Sequence, residues 1–363
     1  MPAILAHQRL AVTAIAASAV LSSITSAQSI TQLNAFGGGS VSVAKGLSND
    51  GSVIAGYGQS FGGMTSAAIW AGSADPQQPA GSGFPSEAVG VSADGSIVAG
   101  WSSQRTFRWT QAGGAQFMPN LSGGSFTSAR GISGNGSVIV GVGDTNAGPF
   151  TQTWQRAFRW NADGATEQLG ALNPNANSYA NAVNFTGSVI VGESSDQAFR
   201  WTEDGGMAGL GFLSGTSSSK ALAVNVDGSV IVGRSGNLAF RWTATGGMQA
   251  LGSIWSGVYE ANAVSADGSL AVGWHGSSYT AMIWDAAGEA MMLSQYLGDR
   301  GVDLSGWTAL YNAYGMSGDG RFIVGWGSYQ GQNRAFVADV GVIPAPGALA
   351  LLGLAGLARS RRR

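Results

Sequence analysis

The chain of 363 residues contains no cysteine and only two histidines, His7 and His275. Without cysteine it has no thiol nucleophile, no thiolate metal ligand and no disulfide bond. So few imidazoles also argue against a Ser-His-Asp triad or a multi-histidine zinc site. From the sequence we therefore assign no catalytic residue, no metal ligand and no cofactor.

Charged residues are scarce as well, at 10% of the chain. Five of the 18 basic residues lie in the two terminal segments described below, which leaves 13 basic residues against 20 acidic ones in the body. A nucleic-acid-binding protein needs a basic surface that neutralises phosphate. The negative charge of the body therefore excludes nucleic acid as a partner.

Glycine is in excess, at 58 positions, which is about twice its usual share. The chain also contains 12 Trp and 14 Phe, and this aromatic content argues against intrinsic disorder. It shows neither the Gly-X-Y period of collagen nor a helix-rich composition of Ala, Glu, Lys and Leu. The composition is typical of a turn-rich, all-β protein.

Residues 1–27 have the three parts of a secretory signal peptide. Arg9 provides the positive charge, residues 10–21 are apolar, and Thr25, Ser26 and Ala27 form a small-residue cleavage site. A buried helix is the alternative, but the apolar run is short and ends in small residues. We expect signal peptidase to remove this segment during export.

Residues 341–363 form a second targeting segment. An uncharged run over residues 342–358 contains Pro344 and Pro346 near its start, and the segment ends in Arg361, Arg362 and Arg363. This layout resembles the PEP-CTERM sorting signal of bacteria. The resemblance implies transient anchoring in the inner membrane, cutting near Pro346 by an exosortase-type transpeptidase, and delivery to the cell surface or extracellular matrix. A simple membrane anchor is the alternative.

One phrase recurs seven times within residues 28–340: a strand of small residues, a glycine turn and an apolar strand that ends in glycine. Examples are AKGLSNDGSVIAG from Ala44 and ALAVNVDGSVIVG from Ala221. The turn glycines, from Gly51 to Gly320, are about 45 residues apart, near the ~40–50 residues of a four-stranded propeller blade. A third strand, often ending in Phe-Arg-Trp, follows in each copy. Six of the 12 Trp occupy this strand, and their recurrence predicts core packing rather than a sugar-binding platform.

The two ends of the repeat array complement each other. Residues 30–33 match the fourth strand of the repeat but precede the first copy, whereas the seventh copy stops after its third strand. Pairing these two segments would close a ring and remove the exposed edges of an open array. The sequence therefore predicts a seven-bladed β-propeller over residues 28–340.

The repeat phrase and its third-strand triplet resemble the HAF family of bacterial extracellular repeats over about residues 30 to 340. In the place of that family's histidine this chain has Arg105, Arg156, Gln197, Leu238, Thr280 and Arg334. Any role of that histidine is therefore not transferred to this chain. The resemblance implies an extracellular repeat protein and no particular activity.

A binding site is expected where the repeats depart from regularity. Residues 142–155 and residues 293–311 contain connections longer than their counterparts, and both connections are expected on the same rim of the propeller. Their candidate ligand residues are Asp144, Trp154, Tyr296, Asp299, Arg300, Asp303 and Trp307. The alternative is that these loops only cover the rim.

Together these observations predict an exported, non-enzymatic scaffold or binding protein whose expected partner is exopolysaccharide or a surface protein. The alternative is a carbohydrate-active propeller enzyme, a glycoside hydrolase or lyase that uses rim carboxylates. No spacing in the sequence identifies a catalytic carboxylate pair.

Overall fold

The computed structural model describes residues 28–341 except 61, 80, 84, 146–153 and 278. The proposed signal peptide and the sorting segment, with Pro344, Pro346, Arg361, Arg362 and Arg363, lie outside these residues. Within the described part, no helix is long and apolar enough to cross a membrane.

Seven antiparallel sheets are arranged as the blades of a propeller, and the first strand of each blade is the innermost. Blade 1 consists of β2 (Ser42–Leu47), β3 (Val53–Gln59) and β4 (Thr65–Ala71). Blade 2 consists of β5 (Ser86–Val91), β6 (Ile97–Ser102), β7 (Arg105–Thr110) and β8 (Gly114–Phe117). Blade 3 consists of β9 (Thr127–Ile132), β10 (Val138–Thr145), β11 (Trp154–Asn161) and β12 (Thr166–Gln168). Blade 4 consists of β13 (Ser178–Val183), β14 (Ile190–Ser194), β15 (Gln197–Thr202) and β16 (Gly206–Gly211).

Blade 5 consists of β17 (Ser219–Val224), β18 (Val230–Ser235), β19 (Leu238–Thr243) and β20 (Gly247–Ala250). Blade 6 consists of β21 (Tyr259–Val264), β22 (Ala271–His275), β23 (Thr280–Trp284) and β24 (Ala290–Met292), and α1 (Leu293–Gly298) follows it. Blade 7 consists of β25 (Trp307–Met316), β26 (Phe322–Tyr329), β27 (Gln332–Asp339) and the N-terminal β1 (Ser29–Leu33). The innermost strands contact one another in sequence order, and β25 contacts β2, so the ring is closed.

The predicted exchange of an N-terminal strand into the last blade is confirmed. Strand β1 pairs antiparallel with β27, from Ser29 opposite Asp339 to Leu33 opposite Ala335. The hydroxyl of Ser42 donates to the Leu33 carbonyl at 2.7 Å and accepts from the Ala335 amide at 2.9 Å. This buried hydroxyl therefore joins blade 1 to both outer strands of blade 7.

Two details differ from the sequence-based expectation. Among its described residues, blade 1 has only three strands, and a single bridge between Ile69 and Gln77 stands where the fourth strand was expected. Within the long connection after blade 6, the chain forms helix α1 rather than an irregular loop. The helix forms because Leu293, Tyr296 and Leu297 lie on one face at helical spacing and are buried in a core cluster shared with blade 7.

The third-strand aromatic residues are core residues, as expected from their recurrence. The Phe at this position is fully buried in five blades, and Trp70 and Trp284 are also fully buried. The other four Trp of the slot are buried or half-buried within the clusters between blades. This position therefore stabilises the packing of adjacent sheets and is not available to a ligand.

A glycine ends the apolar run of each second strand because the first strand bulges toward it. In blade 5 the register between β17 and β18 shifts between Ala221 and Ala223, and Gly233 lies opposite Ala221. A Cβ atom on Gly233 would lie 2.1 Å from the carbonyl oxygen of Lys220. In blade 1, a Cβ atom on Gly56 would lie 2.0 Å from the carbonyl oxygen of Val43. Only glycine fits this contact without moving the innermost strand.

We expect Gly233→Ala to destabilise the protein by about 2 kcal/mol, because the added methyl group must displace the backbone of β17. Gly298→Ala is the matched control, since a Cβ on Gly298 meets nothing within 4 Å. Alanine is a better helix former than glycine, so the control should change stability by less than about 1 kcal/mol. Chemical denaturation of both variants measures the difference, and equal stabilities would contradict the close-contact explanation.

The turn after each first strand is held by a repeated set of hydrogen bonds. In blade 1 the Asp50 carboxylate accepts from the Ser48 hydroxyl at 2.6 Å and from the Ser52 amide at 3.0 Å, and the Val53 amide donates to Ser48 Oγ. The hydroxyl of Ser48, followed by the amide and hydroxyl of Ser52, lowers the pKa of Asp50 to about 2. Hydrogen bonds within the turn also lower the pKa of Asp94 and Asp227, and at Asp267 burial raises the pKa but the turn hydrogen bonds outweigh it and lower it.

These aspartates should make stability depend on pH in the acid range. Because their pKa values are lower in the folded state, their contribution is present above the unfolded value of about 3.9 and is lost as the pH falls below it. For Asp50 the loss should extend from about pH 4 to about pH 2. We expect the melting temperature to fall in this window, and to fall less in a variant with Asn at positions 50, 94, 227 and 267.

The third blade provides the control for this experiment. Asn135 already occupies the turn position there and accepts from Ser133 and Ser137 as the aspartates do. The Asn variant should therefore keep the turn geometry, while Asn135→Asp should add pH dependence. Identical acid profiles for all three proteins would show that the turns do not set acid stability.

Candidate active site in the central channel

All seven innermost strands contribute side chains to one cavity of about 400 Å³. Because its walls come from every blade, this cavity lies on the axis of the propeller. One residue from each innermost strand lines it at the same level: Lys45, Val89, Arg130, Asn181, Leu222, Asn262 and Tyr314. Glu87, Ser128 and Glu260 add polar groups two residues earlier in their strands. The cavity therefore lies toward the face at which the first strands begin.

Farther along the axis, the wall of the channel becomes apolar. Two residues after the polar level, each innermost strand has an aliphatic side chain: Leu47, Val91, Ile132, Val183, Val224, Val264 and Met316. This apolar ring lies next to the aspartate turns. Polar chemistry on the axis is therefore concentrated at the opposite end.

Two ion pairs in the cavity connect neighbouring blades. Lys45 Nζ lies 3.5 Å from Glu87 Oε1, between blades 1 and 2. Lys220 Nζ lies 2.8 Å from Glu260 Oε2, between blades 5 and 6, and Arg234 Nε approaches the same oxygen at 3.7 Å. The four residues of the two lysine pairs are mostly buried. Both glutamates of the cavity therefore have basic partners, of which Lys45 lines the cavity as well.

Tyrosines surround the first of these ion pairs. The Lys45 ammonium lies 4.0 Å from the centroid of the Tyr314 ring and 5.9 Å from that of Tyr57. Burial, with smaller contributions from the charges of Glu87 and Tyr314, raises the pKa of Tyr57 to about 12. The Tyr57 hydroxyl therefore keeps its proton at neutral pH and is available as a donor.

Arg130 differs from the other cavity cations because no carboxylate of the described residues lies within 4.0 Å of it. Its guanidinium donates to the Asn181 side-chain oxygen at 2.8 Å and lies 5.0 Å from the centroid of the Tyr179 ring. The side chain is exposed to the channel, yet the surrounding wall desolvates it and lowers its pKa, against the opposing effects of Glu193 and Tyr179. A cation in this position favours binding of an anion.

The candidate rim residues of blade 3 lie away from this cavity. Asp144 is buried, and its carboxylate accepts from the amides of Ser125 and Phe126 and from the Ser125 hydroxyl, each at 2.7 Å. Burial raises the pKa of Asp144, but these hydrogen bonds outweigh it and lower the pKa. Trp154 begins β11 and lies 5.3 Å from the Arg156 guanidinium. The carboxylate of Asp144 is thus engaged in holding the backbone.

The candidate rim residues after blade 6 are also engaged locally. The Arg300 guanidinium stacks on Tyr296 at 3.5 Å from the ring centroid, and these two line a separate cavity of about 330 Å³. Asp299 caps the C-terminus of α1, and exposed Asp303 accepts from the amide and hydroxyl of Ser305. Trp307 packs on Tyr329 and Phe336. None of the seven rim candidates lines the axial cavity.

Sequence reasoning missed the cavity residues because they lie inside the repeat phrase itself. The signal was the variable residue between the small residues of each first strand, such as Lys45 in AKG and Arg130 in ARG. Small neighbours repeat because they pack between blades, whereas this residue changes from copy to copy. In a closed ring of repeats, the first-strand position that changes from copy to copy therefore indicates the residues that line the axis.

No protein-family model matches the chain, and no curated protein matches it. Solved structures that share the fold include an oligogalacturonate lyase in complex with manganese, at 14% identity and a TM-score of 0.52, covering 87% of this chain and 91% of that one. An oligogalacturonate lyase from Vibrio parahaemolyticus is 13% identical with a TM-score of 0.56, covering 86% and 91%. A streptogramin B lyase is 13% identical with a TM-score of 0.50, covering 86% and 98%. At these identities the similarity shows the fold.

These findings contradict one prediction from the sequence. The preferred function, a non-enzymatic scaffold, is contradicted: the solved structures that share the fold include two oligogalacturonate lyases, which match the carbohydrate-active alternative better. The manganese of the first of these structures has no counterpart site here, because the described residues include no group of three His, Asp or Glu side chains that could hold a metal ion. The cavity residues therefore do not fit that ion, and no chemical step is assigned to it.

Proposed function

We propose that this protein is a carbohydrate-active lyase that cleaves an acidic oligosaccharide at the axial cavity. The observation that carries the proposal is Arg130, a desolvated guanidinium without a carboxylate partner among the described residues, in a cavity formed by all seven blades. A cavity of about 400 Å³ is within the range of small-ligand sites. The oligogalacturonate lyases that share the fold act on a sugar acid of this class.

The reaction is a β-elimination. A base removes the proton from the carbon next to the carboxylate, the electron pair forms a carbon–carbon double bond, and the glycosidic oxygen leaves with the bonding electrons and takes up a proton. Negative charge grows on the sugar carboxylate as the proton departs. A fixed cation such as Arg130 stabilises this charge more than it stabilises the bound substrate.

Proton transfer is assigned to groups elsewhere on the cavity wall. Lys45 and Tyr314 line the cavity with Arg130 and belong to the adjacent blades 1 and 7, and either can take the proton as the base once it has lost its own proton, as a neutral amine or a phenolate. The leaving oxygen takes up a proton from solvent, because Tyr57, whose pKa is raised to about 12, keeps its proton and serves as a hydrogen-bond donor rather than as an acid. A second candidate is glycoside hydrolysis by Glu87 and Glu260, since both carboxylates line the same cavity.

The test incubates the protein with oligogalacturonate and other acidic oligosaccharides and measures new reducing ends together with the ultraviolet absorbance of an unsaturated sugar. We expect both signals, and Arg130→Met should lower kcat/KM by about 100-fold or more, because one fixed donor to developing charge is typically worth that factor. Arg200→Met is the control, since Arg200 lies on the third strand of blade 4, outside the cavity.

Each outcome separates the candidates. Reducing ends without the ultraviolet signal would replace the lyase by a hydrolase and direct attention to Glu87 and Glu260. Equal losses in the Arg130 and Arg200 variants would refute the assigned role of Arg130. If no acidic oligosaccharide is cleaved, the proposed enzyme activity is refuted.

We also propose, from the sequence of the two ends, that the protein is exported and sorted to the cell surface or extracellular matrix. Its partners on this route are signal peptidase and an exosortase-type transpeptidase, and an acidic exopolysaccharide is then the accessible substrate. In a host with such a transpeptidase, the mature chain should lack residues 1–27 and the arginine-rich end. Replacing Arg361, Arg362 and Arg363 by Ser should leave uncut protein in the inner membrane. Intact protein in the cytoplasm would contradict the proposal.

A further inference from the structure

The residue that follows the close-contact glycine of each second strand is aromatic in four blades that are adjacent in the ring. These residues are Trp274 in blade 6, Trp326 in blade 7, Tyr57 in blade 1 and Trp101 in blade 2. All four are half-buried rather than enclosed in the core. We call this set the aromatic crescent.

The fold does not require an aromatic residue at this position. The three remaining blades have Val142, Glu193 and Arg234 there, in sheets with the same strand order. In contrast, the third-strand Phe and Trp that pack the core recur around nearly the whole ring. A residue type confined to one continuous arc of a repeat protein indicates a surface that binds something.

The crescent lies beside the axial cavity. Trp101 is paired directly with Glu87, and Trp274 with Glu260, so each tryptophan shares a sheet face with a glutamate of the cavity. Trp101 itself lines the cavity. Tyr57 and Trp326 hold the same register opposite Val43 and Asn312. The four residues therefore share one register and one sheet face, near the end where the first strands begin.

Neighbouring rings support the crescent and extend it outward. The Trp274 ring lies 5.8 Å from that of Tyr279, which is 59% exposed. The Trp326 ring lies 4.8 Å from that of Tyr311. Supported aromatic rings lose little conformational entropy when they bind a flat ligand, which makes them efficient contact residues.

We propose that the aromatic crescent binds the sugar rings of the oligosaccharide by stacking, while the basic residues across the cavity bind its carboxylates. The C–H-rich face of a pyranose is apolar and packs on an aromatic face, independently of the charge of the sugar. Across the axis, Arg130 of blade 3 lines the cavity without a carboxylate partner among the described residues, while Lys220 and Arg234 of blade 5 lie against Glu260. This inference rests on the proposed function for the carboxylates, but the stacking part does not need catalysis.

Binding to a neutral ligand separates the two parts. The probes are an oligogalacturonate and its carboxyl-reduced form, in which CH₂OH replaces each carboxylate and elimination cannot occur. Calorimetric titration should show that Trp274→Leu and Trp326→Leu each raise Kd for both probes by about tenfold, the size expected when a ring contact is lost. Trp274→Tyr and Trp326→Tyr keep a ring and should restore most of the affinity.

Two controls accompany the titrations. Phe185→Leu removes an aromatic residue that is 37% exposed near the aspartate turns at the other end of the axis, and it should leave both Kd values unchanged. Arg130→Met should weaken binding of the acidic probe only. Melting temperatures show which variants are folded, and the Tyr variants carry the test if a Leu variant is not.

The outcomes distinguish failure of the crescent from failure of the proposed activity. Unchanged Kd for the carboxyl-reduced probe in folded Leu variants overturns the crescent, even if Arg130→Met abolishes cleavage. Tryptophan-dependent binding without any cleavage refutes the lyase and supports the crescent. If the unmodified protein binds neither probe, the crescent is overturned.

Discussion

The close approach of each second strand to the bulged first strand is the contact on which the rest of the molecule depends. It requires glycine at positions such as Gly56 and Gly233, where a Cβ would lie about 2 Å from a carbonyl oxygen. It also fixes the register of the next residue, so Tyr57 and Arg234 occupy equivalent positions in their blades. One steric constraint therefore fixes both the packing of the first two strands of a blade and the register of the residues that follow the glycine.

A closed repeat becomes a specific site only where its copies differ. At the register after the close-contact glycine, blades 6, 7, 1 and 2 have aromatic residues and blades 3 to 5 do not. On the innermost strands, the cavity-facing residue ranges from Lys45 and Arg130 to Leu222 and Tyr314. The backbone of the ring is thus nearly seven-fold symmetric, but its side chains differ between the aromatic arc and the remaining blades. This difference suits a ligand with apolar ring faces and anionic groups.

The sequence predicted the fold well because its information is repeated. Seven copies of one phrase, an extra strand before the first copy and a missing fourth strand in the last were enough for the blade number and the exchange of β1. Helix α1 was missed because it occurs once and is stabilised by tertiary packing. The cavity was missed because its residues are far apart in the chain and adjacent only after closure. The rim carboxylate of Asp144 looked available in the sequence, but backbone amides occupy it.

The cavity residues do not contribute equally to stability and to chemistry. The pairs Lys45–Glu87 and Lys220–Glu260 connect adjacent blades and are partly buried, and removing Lys45 leaves the charge of Glu87 partly buried without its partner. Arg130 makes only a hydrogen bond to Asn181 and a ring contact, so its substitution costs the fold little. A change at Lys45 therefore mixes lost stability with lost activity, whereas a change at Arg130 mainly reports what the guanidinium does for a bound anion.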